Sequence, residues 1–237
     1  MTKLPAILPN FFYGTAWKED LTESCVMDAL KAGFRAIDTA NQRKHYFEEG
    51  VGAALKKSYR DLGLSRSDLF LQTKFTYARG QDHRKPYDEN APYSVQVQQS
   101  FESSLQHLGT DYLDSYILHG PISSVGLTEE DWQAWAEMES LHRQGRTKYI
   151  GVSNVNFGQL EELCSKALVK PTFVQNRCFA ETTWDKKIRE FCKHNHILYE
   201  GFSLLTANSK FLGGHVEQPA GRNIPHWKAK KYKPRFS

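Results

Sequence analysis

The chain lacks several things that would assign it quickly. No apolar run approaches the roughly 18 residues of a membrane span, so no membrane partner is expected. The first residues, MTKLPAILPNFFYG, have no charged start, apolar middle and small-residue cleavage site, so no signal peptide is read there. Cysteine is scarce. Cys25, Cys164, Cys178 and Cys192 form no CxxC pair and no metal-ligand spacing, which points to buried thiols in a reducing compartment and a cytoplasmic location. No GxGxxG follows an early strand, and nothing resembles a phosphate loop, a nucleophile elbow or a metal cluster. Charge of one sign is not in great excess: the formal net charge is +4. Much of it sits at the end of the chain, in Lys228, Lys230, Lys231, Lys233 and Arg235. No DNA- or RNA-binding motif accompanies that cluster, so it reads as a solvated tail and no nucleic-acid partner is expected.

What is present is an alternation of two patterns. The chain has a 40% hydrophobic share, enough for a sizeable core. Residues 111–154 set the pattern: a short apolar run ending at Gly120-Pro121, an amphipathic stretch, and a second β-branched run, KYIGVSN. In the middle stretch Trp132, Trp135, Met138 and Leu141 recur at helical spacing. Strand, helix, strand in this order is a right-handed βαβ unit with parallel strands. The same alternation runs through the chain. Strands are expected over 10–17, 34–40, 68–75, 111–118, 148–154, 171–178 and 197–205. Helices are expected over 21–33 (with Thr22 as N-cap), 46–62, 92–108, 128–146, 156–167 and 183–194. Residues 76–90 read as a long polar loop. Beyond Leu205 the pattern fails, with Gly213, Gly214, Pro219, Gly221 and Pro225 marking loop.

Repeated β-then-α units fit either an open doubly wound sheet or a (β/α)8 barrel. Polar residues end nearly every strand: Trp17-Lys18, Asp38, Lys74, His119, Ser153-Asn154, Gln175 and Ser203. Convergence of many strand ends on one rim is what a barrel mouth provides, although the strand count is about seven.

Asp38, Tyr46, Lys74 and His119, read at successive strand ends, form a set with chemical meaning. A tyrosine hydroxyl is a weak acid, with an ordinary pKa of about 10. A lysine ammonium beside it lowers that value, a carboxylate keeps the lysine charged, and a neutral histidine orients a substrate oxygen. Such a set suits proton transfer to a carbonyl during hydride chemistry. Each residue alone has a plainer reading: a helix cap for Asp38, a packed aromatic for Tyr46, a snorkelling strand end for Lys74 and a turn residue for His119.

The motifs GTAWK (14–18), AGFRAIDTA (32–40), YFEEGVGAAL (46–55), LFLQTKF (69–75), LGTDYLDSYILHGP (108–121), GRTKYIGVSN (145–154) and FVQN (173–176) occur in an order that resembles the aldo-keto reductase family. The resemblance runs to about Gly214. It implies a (β/α)8 barrel that binds NADP(H) without a Rossmann motif and reduces an aldehyde or ketone, or oxidises the alcohol. By the same likeness Tyr46 is the general acid, Lys74 and Asp38 tune it, and His119 orients the carbonyl. Ser153, Asn154 and Gln175 match the residues that hold the nicotinamide carboxamide, with Asp38 and Ser203 beside the cofactor. Phe202 matches the aromatic that stacks on the ring, and Trp17 a substrate-pocket aromatic.

Two departures shape the expectation. The gap from Asp38 to Tyr46 is longer than the family usually shows, so NQRKH must bulge, and His45 is Tyr46's neighbour. The sequence after about Ile224 also leaves the family pattern. The expected architecture is therefore an incomplete barrel over 1–212, its eighth βα unit missing, with an irregular basic tail over 213–237. Open barrel edges would then invite self-association. A weak or inactive truncated barrel serving as a binding or regulatory subunit is the alternative to an enzyme.

Overall fold

The computed structural model describes residues 10–204. The expectations for the eighth unit and for the basic tail lie outside the described residues. Within them, seven strands form one parallel sheet in strict chain order. They are β1 (Tyr13–Gly14), β2 (Ala36–Asp38), β3 (Phe70–Phe75), β4 (Leu113–Leu118), β5 (Thr147–Ser153), β6 (Phe173–Arg177) and β7 (Leu198–Phe202). Helices α1 (Thr22–Lys31), α2 (Glu48–Asp61), α3 (Tyr93–Leu108), α4 (Glu129–Arg143), α5 (Phe157–Lys166) and α6 (Lys186–His194) connect them in turn. Neighbours in sequence are neighbours in the sheet, as in a (β/α)8 barrel and unlike a doubly wound sheet, whose order reverses.

Local chemistry fixes the helix ends. Thr128 caps α4 in a reciprocal pair: its backbone N–H donates to Asp131 Oδ2 at 2.9 Å, and its side-chain oxygen accepts from Asp131 N at 3.4 Å. Asn156 and Gln159 do the same for α5. Gly109, at φ +65°, ends α3 in the left-handed conformation that a side chain would resist.

Three element expectations need correcting. The first strand shrinks to Tyr13–Gly14, because only these residues pair with Ile37 and Asp38. Thr22 is not the cap of α1. A short 3₁₀ turn over Glu19–Leu21 precedes it, and the Thr22 hydroxyl turns back to donate to Glu19 O at 2.6 Å. The last helix starts at Lys186, since Thr183, Trp184 and Asp185 all take positive φ and break the run.

Side-chain alternation along the strands builds two separate cores. Outward residues such as Ile37, Leu71, Phe75, Tyr116, Ile150 and Val174 pack under the helices in the larger one. Inward residues Ala36, Phe70, Ile117, Tyr149 and Phe173 form the smaller, with Phe12 and Leu198 against it. The inner space is tight. A Cβ on Gly151 would stand 2.5 Å from Ile117 Cδ1 and 2.6 Å from Phe173 O, so only glycine fits there. This apolar plug fills the lower part of the curled sheet. The next inward residues toward the carboxyl ends are polar. Among the described residues β1 pairs only with β2, and β7 only with β6. No helix among them is long and apolar enough to cross a membrane.

Candidate active site

Asp38 is the last residue of β2, and its side chain points inward above the plug. Lys74, fifth in the six-residue β3, lies beside it and is completely buried. Lys74 Nζ donates to Asp38 Oδ1 at 2.5 Å and to Thr39 O at 2.7 Å. Burial, the largest single influence, pulls the ammonium's pKa down. Asp38, Tyr46 and Glu200 together outweigh it and leave the value above that of an ordinary lysine.

Tyr46 does not stand at a strand end. It lies in the turn between β2 and α2, where His45 N and Tyr46 N both bond to Gln42 O at 3.0 Å. Gln42 Nε2 in turn donates to Gly80 O at 2.7 Å, which ties the turn to the loop after β3. The extra residues of NQRKH are folded into this compact turn. It brings the Tyr46 ring to 5.4 Å from Lys74 Nζ and sets it edge-on to His119 at 5.9 Å. His45 packs against Trp17 instead, with ring centroids 3.8 Å apart and planes tilted by 39°. The Tyr46 hydroxyl does not simply become more acidic, as the sequence suggests. Burial raises its pKa, the pull of Lys74 opposes this, Asp38 adds to the rise, and the net direction is upward.

His119 follows β4 directly, and its Nδ1 lies 2.6 Å from Thr76 Oγ1. Burial first, then the charges of Lys74 and His45, press its pKa down to about 3, so the ring is neutral. Ser153 ends β5 and donates to Gln175 O at 2.6 Å. Asn154, at φ +54°, donates to His119 O at 2.8 Å and to Ser153 Oγ at 3.1 Å. These three residues and His119 therefore form one hydrogen-bonded rim. Phe202 ends β7 half-buried, with the Arg177 guanidinium 5.7 Å from its ring, and Ser203 follows at φ +55°. Trp17 is exposed at the rim, also at positive φ, its N–H bonded to His45 O at 2.7 Å.

Three participants were missed by the sequence reading: Gln72, Thr76 and Glu200. Gln72 and Gln175 each donate to Asp38 Oδ1, at 2.9 and 3.2 Å, and to Glu200 Oε2, at 2.8 Å. The only signal for Gln72 and Glu200 was a polar residue at an inward position of an apolar strand. Thr76 had none.

Two hollows open beside this cluster. One, of about 460 Å³, is lined by His119, Thr76, Asn154 and Gly120. The other, of about 420 Å³, is lined by Tyr46, Arg43, Arg84 and His107, and the two share Gln42. Arg79 braces the first by donating to Pro121 O and Ile122 O. Among the described residues no group of three or more His, Cys, Asp or Glu side chains is placed to hold a metal ion.

The sequence profile of the aldo/keto reductase family matches residues 13–232. The chain belongs to this family. Aldo-keto reductases of known structure share the fold. One from Brucella melitensis is 33% identical, with a TM-score of 0.69 over 84% of this chain and 70% of that one. One from a deep-sea metagenome of the Medee basin is 28% identical, with a TM-score of 0.70 over 86% and 66%. Among curated relatives, the glyoxal reductase of Bacillus subtilis is 35% identical over 186 residues, covering 78% of this chain and 58% of that protein. The NAD(P)H-dependent 6'-deoxychalcone synthase of Glycine max is 35% identical over 198 residues, with the same coverage. The chain thus spans about three fifths of the length of these two curated relatives.

Proposed function

We propose that this aldo-keto reductase chain carries a site for reducing a small aldehyde or ketone with NADP(H), or for the reverse oxidation, and that Tyr46 is its proton donor. The observation that carries the reading is Lys74. A fully buried ammonium, bonded to Asp38 at 2.5 Å, stands 5.4 Å from the ring of Tyr46. Maintaining a charge in such a place is costly. The electrostatic return is a phenol whose proton loss is eased against the strong upward push of burial.

The rim suits a nicotinamide carboxamide. The Nε2 group of Gln175 is committed to Asp38 and Glu200, which leaves its Oε1 to accept from a ligand. Ser153 spends its hydroxyl hydrogen on Gln175 O, and Asn154 spends its amide nitrogen on His119 O, so both also offer oxygen acceptors. A primary amide supplies matching N–H donors. The NAD(P)H dependence in the name of the Glycine max relative supports this cofactor class. Phe202 offers the π face for stacking, Ser203 and Asp38 flank the site, and the cofactor supplies the hydride when bound. Trp17 and His119 bound the substrate side.

The chain's own residues handle the proton. Tyr46 Oη–H donates to the carbonyl oxygen as negative charge develops there, and Lys74 stabilises the phenolate left behind. In this proposal the Thr76 hydroxyl, 2.6 Å from His119 Nδ1, is taken as the donor to that nitrogen, which puts the ring proton on Nε2 as a donor to the same oxygen. Being neutral, His119 orients the carbonyl without competing as an acid. The test is titration of the purified chain with NADPH, followed by tryptophan quenching, then NADPH consumption with a panel of small aldehydes. Binding and aldehyde-dependent consumption are expected. No NADPH binding at millimolar concentration overturns the proposal. Self-association through β1 and β7 belongs to the same reading, and a monomer at every concentration in sedimentation overturns that part.

A further inference from the structure

Glu200 lies inward on β7, in register with Gln175 on β6, just as Asp38 on β2 is in register with Gln72 on β3. The four residues form one polar layer across the curled sheet, directly above the apolar plug. Each primary amide has two hydrogens. Gln72 gives one to Asp38 and one to Glu200, and Gln175 does the same. Two carboxyl groups are thereby bridged twice, and Lys74 bonds only one of them, Asp38. Glu200 Oε1 is buried with no hydrogen-bond partner among the described residues. A second negative charge here is compensated far less well than the first.

We infer that Glu200 is a positioning residue of the proposed site: through Gln72 and Gln175 it fixes Asp38 against Lys74, and its protonation state sets the charge that Gln175 and Lys74 feel. The inference rests on the reading of Gln175 and Lys74 given above. The surrounding charges agree with it. Burial, then the Asp38 charge, push the Glu200 carboxyl up to about 7, against the pull of Gln72, Gln175 and Lys74. The facing groups are few. Asp38 stands on β2, Lys74 on β3, and Tyr46 in the turn before α2 looks onto Lys74. Toward the mouth, His119 after β4 is neutral, and Arg177 at the end of β6 lies against Phe202. Behind β7, Asp185 ahead of α6 is engaged by Tyr199 Oη at 3.0 Å on the outer face.

The consequence is a charge change next to the proposed nicotinamide site. With Glu200 protonated, the Asp38–Lys74 pair is neutral overall. With Glu200 ionised, one net negative charge appears a single amide group, that of Gln175, away from the proposed nicotinamide carboxamide. That charge favours the cationic oxidised nicotinamide over the neutral reduced one.

Two measurements on the full chain test this. In the first, carboxyl ¹³C NMR of glutamate-labelled protein without cofactor should contain one resonance inflecting near neutral pH. It should vanish in Glu200→Gln, which keeps an oxygen acceptor for both amides, and move to lower pH in Asp38→Asn. Should Glu200→Gln not fold, the Asp38→Asn shift alone decides. If every glutamate inflects in the ordinary range, the coupled pair is overturned. In the second, the ratio of NADP⁺ to NADPH dissociation constants should fall on the order of tenfold as Glu200 ionises, and stay flat in Glu200→Gln. A flat ratio in the wild-type chain overturns the link to the cofactor. Absence of any cofactor binding instead overturns the proposed function, and the NMR titration then still decides the carboxyl pair.

Discussion

Gln175 Nε2 lies 3.2 Å from Asp38 Oδ1, across 137 residues of sequence. The first residue sits on the sixth strand and the second on the second, and their contact crosses the interior of the curled sheet. It also changes what Gln175 is. Rather than a free rim amide, it is a bracket held from below, with one oxygen left to meet a ligand. Asp38 is correspondingly shared among Lys74, Gln72 and Gln175. The polar layer therefore couples the proposed proton donor to the proposed cofactor site through largely buried residues.

Tyr46→Phe should lower kcat by about 10²–10⁴-fold, the usual worth of a positioned general acid. Binding of NADPH should change little, because the hydroxyl makes no contact that shapes the rim. The check is kcat alongside a fluorescence titration. Retention of most turnover would hand the role to another group, with His45 the neighbour to examine.

Lys74→Met should be costly to stability as well as to activity. It leaves Asp38 in place without its ammonium, and breaking a buried pair from one side costs about 3–5 kcal/mol. Urea unfolding measures it. An unchanged midpoint would mean that the two glutamines alone satisfy Asp38.

His119 makes a pH prediction. Its pKa is about 3 in the folded chain, against an ordinary value of about 6.5 when unfolded. Between these values the unfolded chain binds a proton that the folded chain refuses. Stability therefore falls as pH drops below about 6.5, at up to about 1.4 kcal/mol per pH unit, and is unaffected by this group above it. Thermal or urea unfolding of the wild type and His119→Gln from pH 7 to 4.5 should diverge, with the wild type losing more. Parallel curves would show an imidazole that ionises freely in the folded chain.

Thr76→Val removes the hydroxyl on His119 Nδ1 while keeping the side-chain shape. The ring is then free to exchange tautomers, so kcat/KM for an aldehyde should fall by about tenfold, the worth of roughly 1.4 kcal/mol. Nitrogen chemical shifts of His119 should move from a single tautomer toward a mixture. A variant with wild-type kcat/KM and an unchanged tautomer would remove Thr76 from the mechanism.

The alternation of strands and helices, the approximate bounds of every helix and the position of Asp38 and Lys74 at the carboxyl ends of their strands follow from the sequence by itself. These are local matters. Periodicity of 2 or 3.6 decides which face each residue takes, and capping groups such as Thr128 and Asn156 act within three residues of themselves. The motif order was enough to place the chain in its family. Other features were decided only in three dimensions. Tyr46, rather than His45, faces Lys74 because Gln42 closes the turn and Gly80 anchors it. Thr76 meets His119 because β3 and β4 end side by side. Gln72, Gln175, Asp38 and Glu200 join because strand register puts them at one height and sheet curvature brings β7 across to β3, where Gln72 and Glu200 meet over 128 residues. Neither register nor curvature is written in any local window. Each emerges when the whole sheet curls around its apolar plug, and that curvature makes four ordinary polar residues partners of one another.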